Sequence, residues 1–392
     1  MCRCLINQHR RHDSVIDPTD HDAYRLDEAR AVHRSLTEYQ PTPTYSLPTL
    51  AERSDVGRIL VKDESYRFGL NAFKALGASY AVYRLLTSRE HPVGESWPPP
   101  HRFYSGLDVA LPHSFTLCTA TDGNHGRGVA WVARKLNQRA VIYMPGNTVS
   151  ARIAAIQDEG ADVHVIGGSY DDAVRRCAEQ AEEHGWTIIS DTSWPGYDLI
   201  PRWIQAGYLT MFAEIDEQTD AGIDAVLVPG GVGALAAAAA WYYRVIKQDG
   251  AVKLVSVEPL AADCLYRSAA GDDGHPVAVH GEPDTIMAGL NCGTPSQVAW
   301  PLIRDAFDAF VAIPDRYAVE AMRAAYYPAD SDPRIISGES GAASMGAWLA
   351  LGREEALAEC RSGLDLDRDA TILLLNTEGD TDPEGFRRAV AF

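Results

Sequence analysis

Residues 225–240 read AVLVPGGVGALAAAAA. The apolar run Ala225–Val228 predicts a strand buried on both faces. Pro229 and the glycines after it end that strand. The alanines 236–240 predict a closely packed helix. Strand, tight turn and helix in so few residues make one β-α unit, and the same rhythm runs through most of the chain. Strands are expected at Arg58–Lys62, Phe115–Thr119, Ala140–Met144, 162–166, 187–190, Lys253–Val257, Phe310–Ile313 and Thr371–Leu375. Helices are expected at 72–87, from the turn after 119 to about 136, and at 149–159, 170–184 and 198–215. Asn71 is expected to cap the first of these. A polar, proline-rich connection spans 91–107. Such alternation predicts an α/β fold with parallel sheets covered by helices on both faces.

In open parallel sheets ligands gather beyond the carboxyl ends of the strands. The loop Pro229–Leu235 lies at such an end. Its glycines permit close backbone approach, and the helix start adds unpaired N–H groups and a positive dipole end. The loop therefore reads either as an anion cradle, with phosphate the favoured anion, or as a plain tight turn. It lacks the Lys-Ser/Thr ending of a nucleotide-triphosphate loop and does not match G-x-G-x-x-G.

Composition narrows the function. The chain has 392 residues, 35 Lys and Arg, 54 Asp and Glu, and a formal net charge of −19. That acidity argues against a nucleic-acid partner and against docking on anionic lipid. No apolar run approaches a membrane span. The N-terminal MCRCLINQHRRHD has no apolar signal core, so a cytoplasmic location is expected. Seven scattered cysteines argue for free thiols rather than a disulfide scaffold. Cys2 and Cys4 lie near His9 and His12 but lack paired C-x-x-C spacing, so no metal is expected and the segment reads as a frayed tail.

Two further stretches carry chemistry. Thr121–Gly126 (TDGNHG) follows a strand and opens a helix. It offers Asp122 as a base and Asn124 as donor and acceptor; His125 there reads as a capping or packing residue. In Arg67–Ala81, RFGLNAFKALGASYA, Lys74 sits at a helix start with no acidic neighbour in the stretch. Helix dipole and partial burial both disfavour its charge, and a neutral amine is a nucleophile toward aldehydes. The alternative is a surface lysine with its tip in water.

An early lysine, an Asn-containing loop and a later glycine loop suit an aldehyde cofactor that bears a phosphate, namely pyridoxal 5'-phosphate. The chain resembles the fold-type II pyridoxal-phosphate enzymes, the tryptophan synthase β and threonine dehydratase group, and within it the diaminopropionate ammonia-lyases. The resemblance is carried by RFGLNAFKALG (67–77), TDGNHGRGVAW (121–131), SDTSWPGY (190–197), PGGVGAL (229–235), ADCLYRS (262–268), TIMAGLNCGTP (285–295), DPRIISGESGA (332–342) and NTEGDTD (376–382). It implies two open, mostly parallel twisted sheets flanked by helices, with the active site between a large and a small domain. The large cofactor-binding domain would be 1–76 and 206–392, its first ~20 residues a flexible tail. The small domain, 77–205, would carry the TDGNHG loop.

The resemblance also implies residue roles. Lys74 would hold the cofactor through a Schiff base. Asn124 would hydrogen-bond the ring hydroxyl. The N–H groups of Gly230, Gly231, Val232, Gly233 and Ala234 would hold the phosphate, and Thr377 would face the pyridine nitrogen. A neutral hydroxyl cannot keep that nitrogen protonated as a carboxylate would, which favours expelling a β-substituent over transamination. Asp122 would remove the α-proton of the D substrate and Asp191 that of the L substrate, although either, taken alone, also reads as a helix cap or structural ion pair. The implied reaction converts 2,3-diaminopropionate to pyruvate and two ammonia. A serine or threonine dehydratase is the nearest rival, and such enzymes usually carry a small residue or serine where this chain has Asp122. A non-catalytic binding protein on the same fold predicts loss of the lysine, which is present. Glu339, Ser340, Asp380 and Thr381 rank as supporting residues. Cys264 and Cys292 match positions that pair in some similar enzymes, against a cytosolic default of free thiols. A small amino-acid substrate and a homodimer are implied as partners.

Overall fold

Seven strands form the larger sheet, and their apolar sequences explain its order. In chain order they are β1 (Arg3–Ile6), β2 (Thr44–Ser46), β3 (Arg58–Asp63), then β8 (Ala225–Pro229), β9 (Lys253–Pro259), β10 (Ala309–Ile313) and β11 (Thr371–Asn376). The spatial order is β1-β10-β9-β8-β11-β3-β2. The five inner strands run parallel, and β1 and β2 are antiparallel edges. Burial of Ile59, Leu227, Val255, Val311 and Ile372 leaves them with no exposed surface. Each such side chain stabilises the fold by roughly 1.5–3 kcal/mol relative to exposure.

A second sheet is wholly parallel, in the order β6-β5-β4-β7. Its strands are β4 (Thr116–Ala120), β5 (Arg139–Pro145), β6 (Asp162–Ile166) and β7 (Thr187–Ile188). The computed structural model describes residues 1–11, 22–88, 97–105, 114–168, 170–220, 222–279, 281 and 283–391. The chain divides into two compact units. The larger comprises Met1–Pro18, Thr42–Tyr66 and Met211–Phe392; the smaller comprises Thr19–Pro41 and Arg67–Thr210. The segment holding Lys74 thus groups with the TDGNHG loop. Of the 91–107 connection only 97–105 are described, and His12 lies outside the described residues. No helix among the described residues is long and apolar enough to cross a membrane.

Three expectations are corrected. The tail is an edge strand over Arg3–Ile6, because its backbone completes the ladder of β10 with Cys4 opposite Val311. That pairing places Cys4 within disulfide reach of Cys360, at a Cα separation of 6.1 Å, and the two are bonded. Cys264 and Cys292 stand as separate thiols. Asn71 is not a cap: it adopts φ +62°, a left-handed turn conformation that asparagine tolerates, and the helix begins later, at Ala75. The Lys74 carbonyl accepts the Ala78 N–H at 3.2 Å and so opens the first helical turn.

Glycine fixes one packing distance that matters below. A Cβ at Gly207 would lie 2.5 Å from the Leu76 carbonyl oxygen, and one at Gly77 would lie 2.6 Å from Ile204 Cγ2. The helix Ala75–Ser88 therefore lies directly against residues 204–208, and Lys74 immediately precedes that helix.

Candidate active site

In the smaller unit the strand ends bear charge. β4 and β7 are parallel neighbours, so the residues that follow them emerge at one edge of the sheet. After β4 come Asp122, Asn124 and His125; after β7 comes Asp191. The Thr121 hydroxyl shapes the first loop by accepting the N–H groups of Gly123 at 3.0 Å and Gly126 at 3.1 Å. It satisfies two donors at the start of the helix Asn124–Lys135 and sets Asn124 at its first turn.

Lys74 Nζ meets Asp191 Oδ2 at 2.5 Å. The neutral amine expected from the local stretch is thus engaged in an ion pair. Its acidic partner comes from 117 residues further along the chain, which local sequence cannot show. Burial alone would raise the Asp191 carboxyl. The Lys74 charge and hydrogen bonds from Lys74 and from its own backbone outweigh that and hold it well below the usual carboxylate range. Asp122 differs. Burial pushes its carboxyl up to about 7, Asp191 adds to the rise, and Arg152 and Lys74 oppose it. Two aspartates at neighbouring strand ends therefore lean toward opposite protonation states, a pattern that marks acid–base chemistry.

Three neighbours escaped the sequence analysis or were underrated by it. Arg152 is buried, and its Cδ would lie 2.8 Å from a Cβ placed on Gly123. Tyr208 packs its ring 4.7 Å from that of Phe73, and its buried hydroxyl has no hydrogen-bond partner among the described residues. The ring of His125 is buried, with Nε2 donating to the Ile189 carbonyl at 2.8 Å. None of these contacts has a local spacing that could have announced it.

In the larger unit two strand ends carry neutral groups. β8 and β11 are also parallel neighbours, and they deliver the glycine loop and Thr377 to one edge. The N–H of Gly230 is spent on the Val257 carbonyl at 2.8 Å and that of Gly233 on the Gly230 carbonyl at 3.0 Å. The N–H groups of Gly231, Val232 and Ala234 donate to no group among the described residues. Gly231 at φ +58° and Gly233 at φ +98° hold the loop in a shape side chains resist. A Cβ at Gly233 would also lie 2.6 Å from Ile303 Cδ1. Three unspent donors at a helix start are what a phosphate needs, and the donors number three rather than the five expected. Thr377 is buried, and its hydroxyl has no partner among the described residues.

Around these ends sit supports. Glu258, at the end of β9, accepts the N–H groups of Leu265 and Tyr266 at 2.9 and 2.7 Å and lies beneath Gly230. Burial drives its carboxyl up to about 8 despite those two bonds. Glu378 accepts from the Ser340 N–H at 3.0 Å and the Thr381 hydroxyl at 3.0 Å, so Ser340 and Thr381 act in holding the loops beside Thr377.

Comparison with known proteins agrees with this chemistry. The family model described as pyridoxal-phosphate dependent enzyme matches residues 36–365. The chain is 42% identical over 365 residues to diaminopropionate ammonia-lyase of Escherichia coli strain K12, covering 92% of this chain and 90% of that protein. It is 40% identical over 366 residues to the diaminopropionate ammonia-lyase of Salmonella typhimurium, covering 91% and 89%. Its fold is similar to the crystal structure of the holo E. coli diaminopropionate ammonia-lyase, with a TM-score of 0.91, 38% identity, and coverage of 100% of this chain and 96% of that one. By sequence, fold and the groups at its strand ends, the chain belongs to the fold-type II pyridoxal-phosphate-dependent enzymes, in the diaminopropionate ammonia-lyase family.

Proposed function

We propose that this enzyme eliminates ammonia from both D- and L-2,3-diaminopropionate, giving pyruvate and two ammonia. The observation that carries the reading is the pair Asp122 and Asp191, set at adjacent strand ends of the unit that holds Lys74. Pyridoxal phosphate, when bound, supplies a carbonyl for an amine and a sink for the electrons released at Cα. Lys74 is the amine that engages it. Gly231, Val232 and Ala234 would hold the phosphate through their N–H groups, with Gly230 and Gly233 shaping the loop. Asn124 would hold the ring hydroxyl, and the Thr377 hydroxyl the ring nitrogen.

Asp191 and Lys74 regulate one another. While the lysine is an ammonium, it keeps Asp191 ionised and occupied. Once Lys74 loses its charge, burial governs Asp191 and makes the carboxylate a better proton acceptor. Asp191 then takes the Cα proton of the L substrate, and Asp122, near neutrality already, takes that of the D substrate. The Cα–H electron pair forms the carbon–carbon double bond as the β-amino group leaves as ammonia. The enamine set free hydrolyses in water to pyruvate and the second ammonia. Asp122 also suits a substrate with a second ammonium, where serine or threonine would offer a hydroxyl.

The test is product analysis with the two diaminopropionate enantiomers, serine and threonine on the wild type, Asp122→Asn and Asp191→Asn. Each variant should lose one enantiomer by on the order of 10²-fold or more and retain much of the other. Equal activity of either variant on both enantiomers contradicts the base assignments. Faster turnover of serine or threonine than of diaminopropionate contradicts the substrate. We further infer a cytoplasmic homodimer that binds no nucleic acid. The acidic net charge supports the reading without nucleic acid. Sedimentation at two concentrations tests the dimer.

A further inference from the structure

His125 is buried, and both its ring nitrogens can be accounted for. A carbonyl oxygen only accepts, so the 2.8 Å contact to Ile189 requires the proton on Nε2. Burial disfavours the imidazolium, so the ring is neutral and Nδ1 is a bare lone pair. That nitrogen has no hydrogen-bond partner among the described residues. It points at Asp191 Oδ2 from 3.9 Å, the same oxygen that takes Lys74 at 2.5 Å. While Asp191 is ionised, two acceptors face each other and no bond forms between them. An unsatisfied buried acceptor is costly, so its retention calls for a state in which it is used.

We propose that His125 is a positioning residue for Asp191 in its protonated state. The inference rests on the reading of Asp191 as the base for the L substrate. The Cα–H bond breaks, its electron pair passes into the new double bond, and the proton arrives on an Asp191 carboxyl oxygen. Asp191 is then a donor, and Nδ1 is the acceptor waiting beside it. A small rotation of the carboxyl group closes the 3.9 Å gap. The hydrogen bond holds the acid neutral in a buried site and keeps the proton available for the departing amine, so the base is regenerated. Asp191 and Lys74 are the charged groups that face the ring. The device is specific to the Asp191 side: the β4 loop that contains Asp122 supplies the histidine, yet its lone pair is aimed at the β7 loop.

Two substitutions separate this role from packing. In His125→Gln the amide lies near the place of Nε2, so the Ile189 bond is kept and the Nδ1 acceptor is lost. In His125→Asn an amide oxygen lies near the place of Nδ1, so the acceptor is kept and the Ile189 bond is lost. Steady-state kinetics are measured for both enantiomers. The proposal expects the L-to-D ratio of kcat to fall about tenfold or more in His125→Gln, with the KM ratio little changed, and to recover in His125→Asn. A ratio unchanged in both, or lost in Asn and kept in Gln, overturns it. Asp191→Asn is run alongside. If it removes L turnover while His125→Gln leaves the ratio intact, this inference fails and the base assignment stands; if it spares L turnover, both fail. A second readout is independent of catalysis. 15N NMR of histidine-labelled protein without cofactor should show a neutral Nε2–H tautomer for the resonance that disappears in His125→Gln. An Nδ1–H tautomer or an imidazolium at neutral pH overturns the proposal.

Discussion

The two sheets solve the same geometric problem with opposite materials. Each presents the loops of two parallel neighbours at a carboxyl edge, β4 with β7 in the smaller unit and β8 with β11 in the larger. The smaller unit places titratable side chains there: Asp122, His125 and Asp191, with Lys74 in contact with Asp191. The larger unit places backbone N–H groups and the Thr377 hydroxyl there, with the Glu378 carboxyl spent on Ser340 and Thr381. Backbone donors bind an anion without titrating, which suits a group that stays bound throughout turnover. Carboxylates and amines exchange protons, which suits the reacting atoms. On the proposed reading, one sheet edge holds and the other reacts.

The largest effect that could break this division is Lys74→Ala. It should lower turnover by on the order of 10³-fold or more while phosphate recognition by the glycine loop persists. Turnover and the cofactor's absorbance band, followed together, check this. The converse substitution is Gly233→Val, which forces a side chain into φ +98° and against Ile303. It should weaken cofactor binding by about 10- to 100-fold, with smaller changes in kcat at saturating cofactor, as strain of about 1–3 kcal/mol implies. Fluorescence titration with pyridoxal phosphate reads it.

A subtler contrast lies within the reacting edge. A base works ionised, so D turnover should rise as pH passes the Asp122 value of about 7. Asp191 enters turnover already ionised through its pairing with Lys74. Enantiomers share their own ionisation constants, so the D-to-L ratio of kcat/KM cancels the substrate. That ratio should climb by up to about tenfold between one unit below and one unit above neutrality. A flat ratio would mean that the two carboxylates are not differently tuned. The smallest effect is expected at Thr377: serine keeps the hydroxyl and should stay within about threefold, whereas valine should cost about tenfold.

Much of this was legible in the sequence, and the limits have physical causes. The strands at Ala225–Val228 and Thr371–Leu375 fall where the pattern put them, because strands buried on both faces leave unbroken apolar runs. β1 and β2 went unread because edge strands are short, half-exposed and antiparallel. The glycine loop announced itself, since φ above zero and close approach leave glycine in the sequence. The spending of the Gly230 N–H did not, because it depends on β9. Lys74 stood out, but its ion pair with Asp191 did not, nor did Arg152 beside Gly123 or the Cys4–Cys360 bond. Each joins segments far apart in the chain, and local spacing carries no record of them.

The measurement closest to the central claim is reductive trapping. Holoenzyme reduced with borohydride, digested and mapped by mass spectrometry should carry the pyridoxyl group on Lys74 alone, at the helix start beside Asp191. A label on any other lysine, or none on cofactor-saturated protein, contradicts the account.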